Sequence, residues 1–177
     1  MKLPATLSDG VVVLRELRED DRAVVLSTMR DPLVARWLNM PPEPGDAAFD
    51  SLLRVARAGR ASGERWDWAV TAAGDDRALG SVVASRRHRD NVELAYLAGE
   101  GGRGRGLMTR AVRVACDALF AAGFGRLEVR THPDNLPSQR LAQRCGFHLE
   151  GRERQSIWLH GRREDALVWS LLPVDPR

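Results

Sequence analysis

The sequence predicts a single α/β domain of the α+β type, with a mixed, mostly antiparallel central sheet flanked by helices. Three observations support this fold class. Strand-like and helix-like segments alternate along the chain, three strand-like segments follow one another closely in its middle, and one long amphipathic helix separates them from the C-terminal segments. A length of 177 residues, 44% of them hydrophobic and 29% charged, suits one core-forming domain over residues 1–177.

The first third of the chain predicts one strand and three helices, at Val11–Leu17, Glu19–Met29, Asp31–Trp37 and Asp46–Ala61. β-Branched residues favour the strand, and acidic residues in the first turn favour the helix that follows it. Asp31 and Pro32 are a typical helix start, an N-cap followed by proline at the first helical position. A break in regular structure is expected at Pro41, Pro42, Pro44 and Gly45.

The rest of the sequence predicts six strands and two helices. In chain order they are strands Arg65–Ala72, Leu79–Arg86 and Val92–Leu97, helix Leu107–Ala122, strand Arg126–Arg130, helix Asn135–Arg144, and strands Phe147–Leu159 and Glu164–Leu172. Turns at Gly74-Asp75-Asp76 and Arg89-Asp90-Asn91 predict an antiparallel meander of the first three strands. His160-Gly161 closes a final hairpin. The long helix is expected to bury Leu107, Ala111, Val114, Ala115, Ala118, Leu119 and Ala122.

Composition and charge exclude several classes of protein. Two cysteines, Cys116 and Cys145, are too few for a disulfide framework or a Cys-rich zinc site, and they suit the reducing cytoplasm. The four histidines lack metal-ligand spacing, so no metal is expected. The net charge of +3 is too small to favour a nucleic-acid partner. No apolar run approaches the ~20 residues of a membrane span, and no signal peptide is recognisable.

A glycine-rich loop, Gly101-Gly102-Arg103-Gly104-Arg105-Gly106, lies between a predicted strand and the long helix. A helix N-terminus presents unpaired N–H groups and the positive end of a dipole, and glycines let a phosphate approach that backbone. Arg103 and Arg105 would add positive charge. The loop lacks the lysine of a Walker motif, and Thr109 stands where a dinucleotide fingerprint has its last glycine. A flexible surface loop remains the alternative interpretation.

A second pattern, N-x-x-S followed by G-F, lies downstream of the loop at Asn135, Ser138, Gly146 and Phe147. Together the two patterns make the chain resemble the GNAT (Gcn5-related) N-acetyltransferases, whose acetyl-CoA loop has the form Q/R-x-x-G-x-G/A and opens a helix. Gly104 and Gly106 hold its glycine positions. Val12–Leu17 and Gly146–Arg152 resemble the branch of ribosomal-protein alanine N-acetyltransferases, so the resemblance covers nearly the whole chain.

The resemblance implies a sheet splayed near Leu97 and acetyl transfer from acetyl-CoA to a primary amine. The contacts it implies with acetyl-CoA are Tyr96, Leu97, Ala98, Gly101, Gly102, Arg103, Gly104, Arg105, Gly106, Leu107, Asn135 and Ser138. Two departures from the family pattern are visible. Gly101 stands where many members have Gln or Arg, and Ala142 stands where many have the tyrosine that protonates the leaving thiolate. Tyr96 is the only tyrosine in the sequence.

Two residues are candidates for catalysis. An α-amino group has a pKa of about 7.7–8.0, so a protein N-terminus is partly neutral at pH 7 and needs only a weak base. Glu93 is the candidate base, because some family members carry a catalytic glutamate there, and a structural ion pair is the alternative. Ser138 is the candidate to bind the sulfur or the pantetheine, with helix capping as the alternative. Asn135 would reach the pantetheine arm or cap that helix.

The acceptor amine is expected to be a protein N-terminus or a small molecule. Glu43, Asp46, Asp50 and Glu64 near the expected acceptor side keep an aminoglycoside-like or polyamine-like acceptor open, since an acidic pocket would favour a polycation. A CoA-binding protein without catalysis and an RNA-associated protein are the alternatives from other classes. A monomer and a homodimer are both compatible with the sequence.

Overall fold

One mixed sheet runs through the described part of the chain, residues 3–39 and 43–176 of a computed structural model. Its strands are β1 (Thr6–Ser8), β2 (Val12–Glu16), β3 (Arg65–Ala72), β4 (Asp75–His88), β5 (Asn91–Ala98), β6 (Arg126–Thr131), β7 (His148–Leu159) and β8 (Arg162–Leu171). The helices are α1 (Arg22–Arg30), α2 (Pro32–Ala35), α3 (Asp46–Ser62), α4 (Leu107–Ala121) and α5 (Leu136–Arg144). Short 3-10 turns cover Glu19–Asp21 and Glu100–Gly102.

The strand order is β1-β2-β3-β4-β5-β6-β8-β7, which confirms the predicted fold class. Among the described strands, β5 and β6 form the only parallel pair, and the other neighbours are antiparallel. The parallel ladder runs only from Asn91–Arg126 to Leu94–Val129. Beyond Leu94, the strand β5 loses its β6 partner while β6 continues alongside β8. This opening is the splay that the resemblance implies near Leu97.

Helices cover both faces of the sheet, and central strands such as β3 are accordingly buried on both sides. Helix α4 packs on one face in a large cluster that includes Trp66, Trp68 and Phe124. A smaller cluster lies on the other face, where Phe49 and Leu53 of α3 meet α1. Both tryptophans are core residues, because each is almost fully buried.

The N-terminal predictions need two corrections. Strand β1 was not predicted, because three half-exposed residues carry no alternating pattern, and it pairs with β2 through a turn at Asp9 and Gly10. The helix predicted at Glu19–Met29 begins with a 3-10 turn, and α1 itself starts at Arg22. Asp21 is buried because its carboxylate binds Arg15 through two 2.8 Å hydrogen bonds.

Three further predictions differ from the structure or fall outside it. Helix α4 also buries Met108, Val112 and Cys116, while Val114 and Ala118 are only partly buried, so the buried face is wider than the predicted stripe. Strand β4 is longer than predicted at both ends, and its first residues include two from the predicted turn. Pro41 and Pro42 of the predicted break lie outside the described residues. The remaining elements match to within two residues.

Candidate active site

A cavity of about 1130 Å³ opens where β5 and β6 separate. Strands β5, β6 and β7, helix α2 and the start of α5 form its walls. Seven of the predicted site residues line it together, namely Glu93, Tyr96, Leu97, Ala98, Arg103, Asn135 and Ser138. Because the pairing of β5 with β6 stops at Leu94, the backbone edge of Ala95–Ala98 faces this space without a strand partner. An extended polar ligand can therefore bind along that edge.

Apart from Arg103, the glycine-rich loop lies outside the cavity lining, and it ends at the N-terminus of α4. Gly104 and Gly106 have φ values of +70° and +72°, in the left-handed region that glycine enters without strain. A Cβ built at either position has no atom within 4 Å, so the space in front of the loop is open. The first intrahelical bond runs from Arg110 N–H to the Gly106 carbonyl, which leaves the preceding amides of the first turn free for an anion. The loop fits the diphosphate of acetyl-CoA.

The other loop residues have different surroundings. Gly102 is buried, and a Cβ there would overlap the carbonyl oxygen of Leu79, so its role is close packing. A Cβ at Gly101 would make ordinary contact with the Leu79 side chain. The side chain of Leu107 is part of the core, so only its backbone can face a ligand.

The two loop arginines differ in what they contact. Arg105 is exposed and donates to the Gly101 carbonyl at 3.2 Å. Arg103 instead binds the carboxylate of Asp31 at 2.5 Å and donates through Nε to the Ala98 carbonyl at 3.1 Å. The Leu33 N–H and then Arg103 hold the pKa of Asp31 below its usual value. The guanidinium of Arg103 is therefore engaged at the cavity wall, and the free charge beside the loop is Arg105.

Ser138 meets Tyr96 inside the cavity. The Ser138 hydroxyl donates to the Tyr96 phenol oxygen at 3.1 Å, and the Tyr96 hydroxyl donates to the Ser138 carbonyl at 3.0 Å. Asn135 caps α5, because its Oδ1 accepts from the Ser138 N–H at 3.2 Å. The capping alternative for the Ser138 side chain was thus wrong, and Asn135 takes that role. Burial raises the pKa of Tyr96 well above its usual value, so the phenol keeps its proton.

Glu93 forms ion pairs, as its structural alternative predicted. Its Oε2 lies 2.6 Å from Arg130 and 2.8 Å from Arg87. Arg130 also contacts Glu128, the parallel neighbour of Glu93 on β6, and Glu153 on β7. Both arginines bind Oε2 of Glu93, which leaves Oε1 as the oxygen that can face an acceptor. Three carboxylates therefore surround one guanidinium on the acceptor side of the cavity.

The sequence reasoning missed a second pair of cavity residues, Trp37 and His132. Their rings lie 5.1 Å apart at 38°. His132 Nδ1 accepts from the Asp134 N–H at 3.0 Å, which places the ring proton on Nε2, and Nε2 lies 3.8 Å from Glu164. The signal was the position of His132 directly after β6 and three residues before Asn135. Trp37 comes from the segment after α2 and could not be paired with it from the sequence.

The acidic residues expected near the acceptor do not line this cavity. Asp46 and Asp50 face Arg22 beside α1, and Glu64 pairs with Arg86 at the far end of β4. Glu43 is exposed and does not line the cavity either. The cavity lining carries equal numbers of arginines and carboxylates. The arginines are Arg36, Arg87, Arg103 and Arg130, and the carboxylates are Glu93, Glu128, Asp134 and Glu153. The four acidic residues that kept a polycation acceptor open therefore add no charge to this cavity.

Neither cysteine is a reactive thiol. Both are buried and neither forms a disulfide, and burial raises the pKa of Cys145 to about 12. Within residues 3–39 and 43–176, no three histidine, cysteine or carboxylate side chains lie close enough to hold a metal ion. Over the same residues, no helix combines the length and the apolar character needed to cross a membrane.

Known proteins are similar to this chain in sequence and in fold. The chain is similar to the Probable N-acetyltransferase YjcK of Bacillus subtilis (strain 168), with 33% identity over 116 residues; the match spans 63% of this chain and 64% of that protein. Its fold is similar to Mycobacterium smegmatis RimJ in complex with CoA-disulfide, with a TM-score of 0.86 and 21% identity over 98% of this chain and 90% of the other.

A second solved structure shares the fold. The ribosomal-protein-S5-alanine acetyltransferase of Vibrio fischeri has a TM-score of 0.82 and 20% identity, over 98% of this chain and all of the other. The family model of the acetyltransferase (GNAT) domain matches residues 12–148, which include β2, the glycine-rich loop and the Tyr96–Ser138 pair. The chain belongs to the GNAT family, and this domain is an acetyl-CoA-dependent acetyltransferase.

Proposed function

We propose that the protein transfers the acetyl group of acetyl-CoA to the N-terminal α-amino group of a protein or peptide. The observation that carries the proposal is the single cavity that joins the loop side of β5, at Leu97 and Ala98, to the acceptor side at Glu93. The Tyr96–Ser138 pair lies between these two ends along β5. A thioester bound from the loop side and an amine entering from the other side would meet beside this pair.

Acetyl-CoA supplies the activated acetyl group. The residues of this chain bind the cosubstrate and protonate the sulfur that leaves. The amides at the start of α4 and the charge of Arg105 bind the diphosphate, and the unpaired edge of Ala95–Ala98 binds the pantetheine arm. The Ser138 hydroxyl gives its proton to the departing sulfur and takes up the proton that the attacking nitrogen loses. The Tyr96 phenol keeps its own proton and holds Ser138 in place through the Ser138 carbonyl and hydroxyl. This pair takes the role that a tyrosine has in many family members, at the position where this chain has Ala142.

The acceptor must lose a proton to become a nucleophile. An α-amine has a pKa of about 7.7–8.0, against about 10.4 for lysine, so much of it is already neutral near pH 7.5. Glu93 accepts the remaining proton through Oε1. Its two arginine partners hold this carboxylate in place, and an acceptor of low pKa has little proton left to give up. An α-amine therefore fits this site better than a lysine side chain.

The cavity charges favour a peptide over a polycation. Each carboxylate near the acceptor side has an arginine within reach, so no surplus negative charge is available for an aminoglycoside or a polyamine. The mouth carries exposed apolar side chains, with Leu33 62% and Trp158 53% exposed. These surfaces suit the first side chains of a peptide. Two of the fold relatives are named as RimJ and as an acetyltransferase of alanine in ribosomal protein S5, which supports the same acceptor class.

A thiol-release assay with acetyl-CoA and a matched set of acceptors tests the proposal. The set contains a peptide with a free α-amine and no lysine, the same peptide with a blocked N-terminus and one lysine, and spermidine. We expect turnover with the first peptide only. Turnover of spermidine with none for either peptide would overturn the peptide assignment and favour a small-molecule acceptor. Tight CoA binding without turnover of any amine would favour a binding protein without catalysis.

A further inference from the structure

Arg103 and Asp31 connect the acetyl-CoA loop to the acceptor wall of the cavity. We propose that Arg103 is a positioning residue whose ion pair with Asp31 couples binding of acetyl-CoA to the placement of α2, so that the cosubstrate prepares the acceptor site. The inference rests on the proposed function for the identity of that wall. It assigns to Arg103 a role distinct from direct contact with phosphate.

The contacts make Arg103 a bridge between three elements. It belongs to the glycine-rich loop, one residue before Gly104. Its Nε donates to the carbonyl of Ala98, the last residue of β5, at 3.1 Å, and its Nη2 lies 2.5 Å from Asp31 Oδ2. The other oxygen of Asp31 caps α2 by accepting from the Leu33 N–H at 2.9 Å. One carboxylate thus starts α2 and fixes it to the loop.

Helix α2 is short, with four residues and one buried side chain, Val34. At its start the Asp31 N–H donates to the Ser27 and Thr28 carbonyls of α1, and the Asp31–Arg103 pair is the side-chain link from this end to the loop. Beyond its last turn the Arg36 carbonyl accepts from His160 Nε2 at 3.1 Å, and the Trp37 ring lies 5.1 Å from that of His132. Four residues of this segment line the cavity, namely Leu33, Val34, Arg36 and Trp37. The Asp31–Arg103 pair is therefore the link through which the loop can act on this wall.

Binding of a diphosphate at Gly104 and Gly106 would order the loop that carries Arg103. A more ordered Arg103 holds Asp31 more firmly, and α2 becomes better ordered in turn. When two sites are coupled in this way, a ligand at one site typically changes the affinity of the other site for its own ligand about 5- to 150-fold. The ion pair is partly buried, with side-chain exposures of 30% for Arg103 and 21% for Asp31, so solvent screens it less than an exposed pair.

Hydrogen exchange of the segment 33–38, with and without CoA, tests the coupling independently of turnover. We expect CoA to slow exchange of this segment in the wild type and to leave it unchanged in Asp31→Asn, where Asn Oδ1 keeps the helix cap and only the ion pair is lost. The matched control is Asp75→Asn, because Asp75 also caps a backbone N–H two residues on, at Arg77, and pairs with that arginine away from the cavity. This control should retain the CoA effect.

Kinetics and calorimetry on variants provide a second test of the coupling. For Asp31→Asn and Arg103→Gln we expect the acceptor KM to rise about fivefold or more, while kcat and the Kd of CoA stay within about twofold. The double variant should be no worse than either single variant, because both remove one interaction. Arg103→Gln leaves the cap of α2 intact and serves alone if Asp31→Asn folds poorly.

Three outcomes would overturn the inference. In the first, CoA slows hydrogen exchange of α2 equally in the wild type and in Asp31→Asn. In the second, CoA does not slow this exchange even in the wild type, and in the third, Arg103→Gln loses much of its affinity for CoA while its acceptor KM is unchanged. The last would make Arg103 a phosphate ligand. Failure of the proposed function would appear differently, as CoA-dependent protection of α2 in a protein that acetylates no peptide.

Discussion

The substitution Gly104→Ala should weaken acetyl-CoA binding strongly and lower the stability of the fold only slightly. Gly104 has φ +70°, and its Cβ would face open space in front of the α4 amides. An alanine in this backbone conformation costs about 1–2 kcal/mol. For a chain of this size we expect Tm to fall by about 2–8 °C. A hydrogen bond to a charged group contributes about 1.5–3 kcal/mol, so each one displaced should weaken acetyl-CoA about 10- to 150-fold.

Gly74→Ala is the matched control for that experiment. Gly74 has φ +81° in the turn between β3 and β4, and its Cβ would also meet no atom within 4 Å. Both variants should lose similar stability in a thermal melt, and calorimetry should show weakened acetyl-CoA binding for Gly104→Ala alone. Equal CoA affinity in Gly104→Ala and Gly74→Ala would refute the assignment of the loop as the diphosphate site.

Three further predictions concern proton transfer and pH. Ser138→Ala and Tyr96→Phe should each lower kcat, for Ser138→Ala by roughly 10²-fold, with little change in Tm or in CoA affinity. Ser156→Ala in the same cavity is the control, and a loss of stability without a loss of rate would contradict the proton-donor role. Glu93→Gln should reduce kcat/KM about tenfold at pH 7 and much less at pH 9, where an α-amine is already neutral. Glu153→Gln, which loses a contact to the same Arg130, should show no such pH dependence, and parallel profiles for wild type and Glu93→Gln would exclude Glu93 as the base. Arg126 and Ser170 lower the pKa of Glu150 to about 2. The stabilisation by this carboxylate is thus complete above its unfolded pKa of about 4.5 and lost as the pH falls toward 2. The Tm difference between wild type and Glu150→Gln should close over that range, and a difference that persists at pH 2 would contradict the shift.

The predictable parts of the structure are those that local pattern determines. Alternating apolar residues and polar turns located the meander of β3, β4 and β5, and amphipathic periodicity located α3 and α4. The loop was recognisable because glycine spacing before a helix has a direct physical meaning. β1 was missed because three residues are too few for a periodic signal, and the added residues on the buried face of α4 reflect packing against neighbours on both sides.

The parts that the sequence could not predict depend on contacts between distant residues. The sequence made Arg103 a phosphate ligand like Arg105, but the fold brings Asp31, 72 residues away, to its guanidinium. Tyr96 and Ser138 are 42 residues apart, and their hydrogen bond follows from the placement of α5 against the open edge of β5. Glu43 and Glu64 were assigned to the acceptor side from their position in the chain alone. Such pairings require the tertiary structure, since no local rule specifies them.

The most direct test of the account follows the acetyl group itself. The wild-type protein is incubated with acetyl-CoA that carries an isotope label in the acetyl group and with a peptide whose only amine is its N-terminus. We predict that mass spectrometry finds the label on the α-nitrogen, with one labelled peptide for each thiol released. Thiol release with the label recovered as free acetate, or an unlabelled peptide after complete turnover, would contradict α-amine acetylation at this cavity.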